Sequence, residues 1–128
     1  MIRVSIDGDQ NGPYCANFQT AIELIGKRWN GAIVAVLLSG PRRFSELVSS
    51  VPGLSERLLS DRLRELQLRG LLVRRVLGGP PLGVEYELTA AGRDLAPVVE
   101  TISAWAYRWL EGPIAADVSV RAEVRPAG

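Results

Sequence analysis

Apolar residues recur along this chain at spacings that change from helical to alternating and back. Ala21, Ile22, Leu24 and Ile25 repeat at helical spacing and predict a helix over Phe18 to Ile25, with Asn17 as its cap and Gly26 as its stop. A second, mostly apolar helix is predicted from about Trp29 to Leu38, ended by Ser39-Gly40-Pro41. Phe44, Leu47, Val48 and Val51 then predict about two turns of helix over Ser45 to Ser50, closed by Pro52-Gly53. The most regular stretch runs from Glu56 to Arg69, capped by Ser55 and terminated by Gly70, with Leu58, Leu59, Leu63 and Leu66 in one narrow stripe. At 100° per residue Arg57, Ser60, Asp61 and Arg64 project opposite that stripe, while Arg62 and Arg69 fall on its flank. Leu71 to Leu77 and Val84 to Leu88 predict a hairpin around the tip Gly78-Gly79-Pro80-Pro81-Leu82-Gly83. Thr89 is placed to cap a last helix from Ala90 to about Leu110, whose apolar positions Leu95, Val98, Val99, Ile102, Trp105, Ala106 and Trp109 exceed what a small domain needs to cover its own core.

Composition narrows the chemistry. The 128 residues are 47% hydrophobic and 23% charged, the balance of one globular domain. We divide them into an irregular arm at 1–14, a domain at 15–111 and a tail at 112–128 without clear periodicity. The longest apolar run, Ala32 to Leu38, is too short to cross a bilayer, and Met1 to Tyr14 lacks the layout of a secretory signal, so no membrane partner and a cytoplasmic location are expected. With no His and one Cys, the chain has no His/Cys zinc site and no nucleophile activated by imidazole. Gly26-Lys27 fails the phosphate-loop spacing, since Ala21 stands where Gly is needed and Arg28 where Ser or Thr should bind magnesium. We therefore expect no enzyme, no catalytic residues, no metal and no cofactor. Cys15 is left with three readings: a buried small hydrophobe, a reactive thiol, or half of a bridge between subunits.

The net charge of +1 is unevenly distributed. Between Pro41 and Arg75, eight Arg face four acids, a balance of +4, whereas the remainder carries −3. A basic centre between mildly acidic ends fits a face that meets a polyanion, although a solvated charged surface has the same signature. The order of elements, with a basic amphipathic helix after a tight turn and a hairpin beyond it, is that of a winged helix-turn-helix. Such a helix enters the major groove of double-stranded DNA, where Arg makes two parallel hydrogen bonds to guanine. Arg57 and Arg64 are accordingly expected to read bases, with Ser60 and Asp61 bonding bases or orienting the arginines. Arg42, Arg43, Ser55, Arg74 and Arg75 are expected at phosphates.

From Cys15 to about Trp109 the chain also resembles the HxlR-type winged helix transcription regulators, relatives of the MarR group. Cys15 and Ala21-Ile22-Glu23-Leu24-Ile25-Gly26-Lys27-Arg28-Trp29 resemble the family's opening Cys, first helix and Gly-Lys-Trp. Gly40 to Leu47 is similar to its Gly-x-x-Arg-Phe-x-Glu-Leu, Pro52-Gly53-Leu54-Ser55 with Leu59, Arg62, Leu63, Leu66 and Gly70-Leu71 to its recognition-helix pattern, and Val84 to Arg93 to its wing exit. The resemblance implies a mainly α fold with a small β-hairpin wing (α+β), dimerising through the first and last helices and binding an inverted repeat to repress or activate genes. Ile22, Ile102, Trp105 and Trp109 are the dimer contacts we name, monomer core being the alternative. In some relatives the N-terminal Cys senses oxidants or electrophiles. Here Ala16 follows Cys15 where relatives often have Pro, so the local backbone is in question. Thiols react readily beside cations or at a helix N-terminus, and Cys15 precedes a helix start. With no second Cys, sensing requires an adduct or a bridge between two Cys15 residues. Arg93 is expected to bond backbone or Glu85 rather than an effector.

Two rivals are separable. A winged helix that binds protein leaves Arg57 and Arg64 solvated or paired with an acidic partner and gives no steep salt dependence on DNA. A thiol enzyme on Cys15 lacks clustered acids and bases. A small-molecule effector between helices is compatible with the Trp-rich last helix, although aromatic stripes more often form core or interface.

Overall fold

The computed structural model describes residues 15–80 and 82–110; the arm at 1–14 and the tail at 112–128 lie outside the described residues. Among the described residues six helices and three strands follow in the order α1 (Ala16–Gly26), α2 (Asn30–Leu37), β1 (Arg42–Arg43), α3 (Phe44–Ser50), α4 (Glu56–Leu68), β2 (Leu72–Leu77), β3 (Gly83–Leu88), α5 (Ala90–Arg93) and α6 (Ala96–Leu110). The mainly α fold with a hairpin wing is as expected. The chain divides into two units between Arg93 and Asp94.

In the first unit, the leucine stripe of α4 supplies the centre of the core. Leu59, Leu63 and Leu66 are buried, as are Ile33, Val34 and Leu37 of α2, Leu47 of α3, the turn residues Val51 and Leu54, and Leu72 and Leu88 of the hairpin. Burying each such side chain is worth about 1.5–3 kcal/mol. The ends of α4 are closed locally. Ser55 Oγ accepts the Leu58 N–H at 3.1 Å. At the other end Gly70 takes φ 79°, the Leu71 N–H reaches the Leu66 carbonyl at 3.0 Å, and the Gly70 N–H reaches Gln67 at 2.9 Å. This is the glycine stop that satisfies the last carbonyls of a helix.

Two capping expectations need correction. Asn17 is not the cap of α1: the helix starts at Ala16, two residues before the expected Phe18, and Cys15 Sγ accepts the Phe18 N–H at 3.2 Å. Thiols rank low as caps, so the sequence directs attention to the amide two residues on. Thr89 does cap as expected, its Oγ1 accepting the Gly92 N–H at 3.2 Å and donating to the Gly70 carbonyl at 2.6 Å. The helix it caps, however, is only α5. Pro97 has no N–H for the Arg93 carbonyl and its ring crowds that carbonyl, so the helix breaks at Asp94 and Leu95 and restarts as α6.

The wing has a third strand that periodicity does not reveal. The antiparallel sheet has the order β1-β3-β2, with Arg42 opposite Tyr86, Arg43 opposite Glu85, and Leu72 opposite Leu88. Two residues are too few to show alternation. Gly92 fits beneath the hairpin because it lacks a side chain: a Cβ there would collide with the Leu71 carbonyl oxygen and touch Leu88 at 3.0 Å.

The second unit contributes α6, a helix of 15 residues with none buried. Val98, Ile102, Trp105, Tyr107, Trp109 and Leu110 are all exposed. No helix among the described residues is long and apolar enough to cross a membrane.

Candidate nucleic-acid interface

The buried stripe of α4 fixes which residues face outward. Arg57, Ser60, Asp61 and Arg64 are all exposed, and among the described residues none of their side chains makes a hydrogen bond or ion pair. At a rise of 1.5 Å per residue, Arg57 and Arg64 stand about 10 Å apart along the axis, roughly three base steps of 3.4 Å. Two guanidiniums on one helix face are thereby presented with a carboxylate and a hydroxyl between them.

The residues expected at phosphates divide into two groups. Arg74 is exposed on β2 with no partner among the described residues. Arg42 is half-buried, and its guanidinium donates to the carbonyls of Gly40 at 3.1 Å and Pro41 at 2.9 Å and to Ser39 Oγ at 2.8 Å. Arg43 Nη1 donates to the Leu82 carbonyl at 3.2 Å and occupies the space over Gly83, where a Cβ would collide with it. Arg75 pairs with Glu87 across the hairpin. Ser55 Oγ caps α4. These four side chains therefore hold the helix-turn-helix and wing in shape, and of the wing arginines only Arg74 is left unengaged among the described residues.

A shallow polar groove of about 380 Å³ runs along α3, lined by Arg42, Ser45, Glu46, Ser49 and Ser50. Its serines are partly satisfied within the helix, Ser49 donating to the Ser45 carbonyl at 3.1 Å and Ser50 to Glu46 at 2.7 Å. Glu46 accepts the Arg43 N–H at 2.8 Å, closing the helix start. Arg93 donates to the Leu88 carbonyl at 2.7 Å, the backbone bond anticipated from the sequence.

Cys15 is half-buried, its sulfur engaged at the first turn of α1. Ile22 on α1 and Ile102 and Trp105 on α6 are 51%, 53% and 54% exposed, and Trp109 is 37% exposed, with Arg108 over its ring at 5.3 Å. Sequence reasoning missed the residues that fix the flank of α4. Arg62 Nε donates to the Arg28 carbonyl at 2.9 Å, and Lys27 Nζ lies 3.2 Å from Glu65 Oε1. The flank position of Arg62 was visible; its partner 34 residues away was not.

A short helix, a turn, a basic amphipathic helix and a three-stranded wing define a winged helix-turn-helix regulator. Comparison with known proteins agrees. Residues 24–113 match the family described as HxlR-like helix-turn-helix. The HTH-type transcriptional regulator YvaP of Bacillus subtilis (strain 168), itself described as uncharacterized, is 44% identical over 97 residues, 76% of this chain and 90% of the relative. The reduced form of the transcriptional regulator YodB from B. subtilis superposes with a TM-score of 0.71 at 39% identity, covering 77% of this chain and 97% of that one. The quinone-bound form of YodB gives a TM-score of 0.64 at 38% identity, covering 72% and 97%. The chain belongs to the HxlR-like helix-turn-helix family. It is a transcriptional regulator of the helix-turn-helix type, and the relatives matched are named as regulators, not enzymes.

Proposed function

We propose that this regulator binds double-stranded DNA in a sequence-specific manner, as a homodimer on an inverted repeat, and that Cys15 makes it responsive to electrophiles or oxidants. The observation that carries the DNA reading is the outward face of α4, where Arg57 and Arg64 stand unengaged among the described residues while Arg42, Arg43, Arg62 and Arg75 are bound into the scaffold. Arg57 and Arg64 read base edges, Ser60 and Asp61 bond bases or orient them, and Arg74 holds a phosphate. The engaged residues Arg42, Arg43, Ser55 and Arg75 act at phosphates only through donors left over from their internal bonds.

Dimerisation is supported by α6. A helix of 15 residues with no buried side chain has no core of its own, and isolated helices of that length are marginal in water. A second copy covering Ile102, Trp105 and Trp109, together with Ile22 of α1, supplies that core. A two-fold dimer then places its α4 helices about 34 Å apart, one turn of duplex.

Thiol responsiveness is supported by the cap at α1 and by YodB, which has been solved in reduced, diamide-treated and quinone-bound forms. Addition of the Cys15 thiol to a quinone forms one S–C bond; the thiol proton goes to one ring oxygen, the C–H bond at the attacked carbon breaks and its hydrogen moves to the other oxygen, and a hydroquinone thioether is left. The added ring crowds the first turn of α1. Titration of a selected duplex with and without quinone treatment tests this: the treated protein loses affinity and Cys15→Ser does not respond. Equal response of both proteins would remove Cys15 from the mechanism.

A further inference from the structure

The link between α1 and α2 has a conformation at odds with its composition. Trp29 takes φ 79° and is the one non-glycine residue with positive φ among the described residues. A bulky side chain enters that region only when its surroundings hold it there. The holding contacts come from α1, from α4 and from the turn before α4. Lys27 pairs with Glu65 at 3.2 Å, and the Arg28 carbonyl accepts from Arg62 Nε at 2.9 Å. The Arg28 guanidinium lies 4.7 Å over the Trp29 indole. Asn30, 1% exposed, donates its Nδ2 to the Leu24 carbonyl at 2.8 Å. The edge of the indole reaches the turn before α4, where a Cβ on Gly53 would stand 3.3 Å from Trp29 Cη2.

These contacts meet α4 in two ways. Arg62 and Glu65 lie one turn apart on its flank, so their bonds to the link resist rotation of α4 about its own axis. Gly53 lies at the entrance to α4, so the indole against it resists tilt. Gly53 itself takes φ 92°, and a side chain there would crowd the ring.

We propose that Trp29 is a positioning residue for sequence readout: its indole, seated on Gly53 and held by a clamped link, sets the roll and tilt of α4 and so decides which bases Arg57 and Arg64 reach. The proposal rests on the reading of α4 as the DNA-recognition helix. Packing of a large aromatic residue alone predicts a loss of stability; positioning predicts a change of orientation and of discrimination in a folded protein.

Two variants separate these. Trp29→Gly keeps the turn, since glycine adopts positive φ freely, and removes the indole. Trp29→Phe keeps a smaller ring on Gly53. Residual dipolar couplings of backbone amides in the full chain report the orientation of α4 relative to α2 without DNA. In Trp29→Gly the α4 vectors are expected to rotate together by about 10–20°, the range over which a site loses productive geometry, and by less in Trp29→Phe. Affinity for the duplex selected by the parent falls roughly tenfold in Trp29→Gly while affinity for a scrambled duplex is kept, with Trp29→Phe between. An unchanged α4 orientation in both variants overturns the proposal whether or not DNA is bound, and so does an equal loss on both duplexes. A reoriented α4 in a protein whose parent discriminates no duplex supports the positioning role and sinks the DNA reading instead.

Discussion

Arg57 and Arg64 differ from Arg42, Arg43 and Arg62 in leaving their guanidiniums unengaged among the described residues, and this difference is measurable. Replacing either with Ala is expected to cost about 1–3 kcal/mol on the preferred duplex and to relax its sequence preference, whereas Arg74→Ala weakens all duplexes alike. Anisotropy titrations on selected and scrambled duplexes check both, and equal losses for Arg57→Ala on the two would end its assignment as a base reader. Two glycines make a second contrast. Gly92→Ala meets the Leu71 carbonyl oxygen, backbone that cannot move aside, and should destabilise by on the order of 3 kcal/mol in urea unfolding. Gly70→Ala has open space and only its φ of 79° to oppose it, so about 1 kcal/mol is expected. At this scale the outward face of α4 was legible because helical periodicity places it without knowledge of the rest of the fold. The engagement of Arg43 with Leu82, 39 residues away, was not legible, because it depends on where the wing returns. The cap at Cys15 was hidden for a local reason, a weak acceptor beside the more typical Asn17.

Elements were legible in proportion to their length and to the strength of their stops. The 13-residue α4 has a serine cap, a regular stripe and a glycine stop, and its observed bounds end within a residue of those expected. Ser55→Ala removes the acceptor for the Leu58 N–H and should lower stability by about 1 kcal/mol, several degrees of melting temperature for a domain of this size by calorimetry. An unchanged melting temperature would show that the first turn of α4 is held by Trp29, Gly53 and the leucine core alone. Strand β1 was missed because a two-residue strand has no period, and its existence depends on pairing with β3. The break between α5 and α6 was missed although its signal, Pro97, stands in the sequence. The continuous apolar pattern across it outweighed the one residue that cannot continue the hydrogen-bond ladder.

For the molecule as a whole, the division of labour is between a first unit that presents α4 and the wing and a second whose helix has no buried residue. Trp105→Glu places a charge in the expected dimer seam and should shift the protein from dimer to monomer in sedimentation, with loss of binding to a two-half-site duplex; a dimer that survives the change would move the interface elsewhere. Charge distribution supplies the other whole-molecule expectation. The net charge of +1 is uninformative, but a dimer presenting two basic centres should lose DNA affinity steeply as salt rises. Sequence reading by α4 is tested by selection of genomic DNA fragments with the purified protein at near-physiological salt, followed by sequencing of the retained pool. Enrichment of a short inverted repeat, with half-site centres about one helical turn apart, is the predicted result. A retained pool with no shared sequence, bound weakly and released by modest salt, would contradict the account of α4 as a sequence reader.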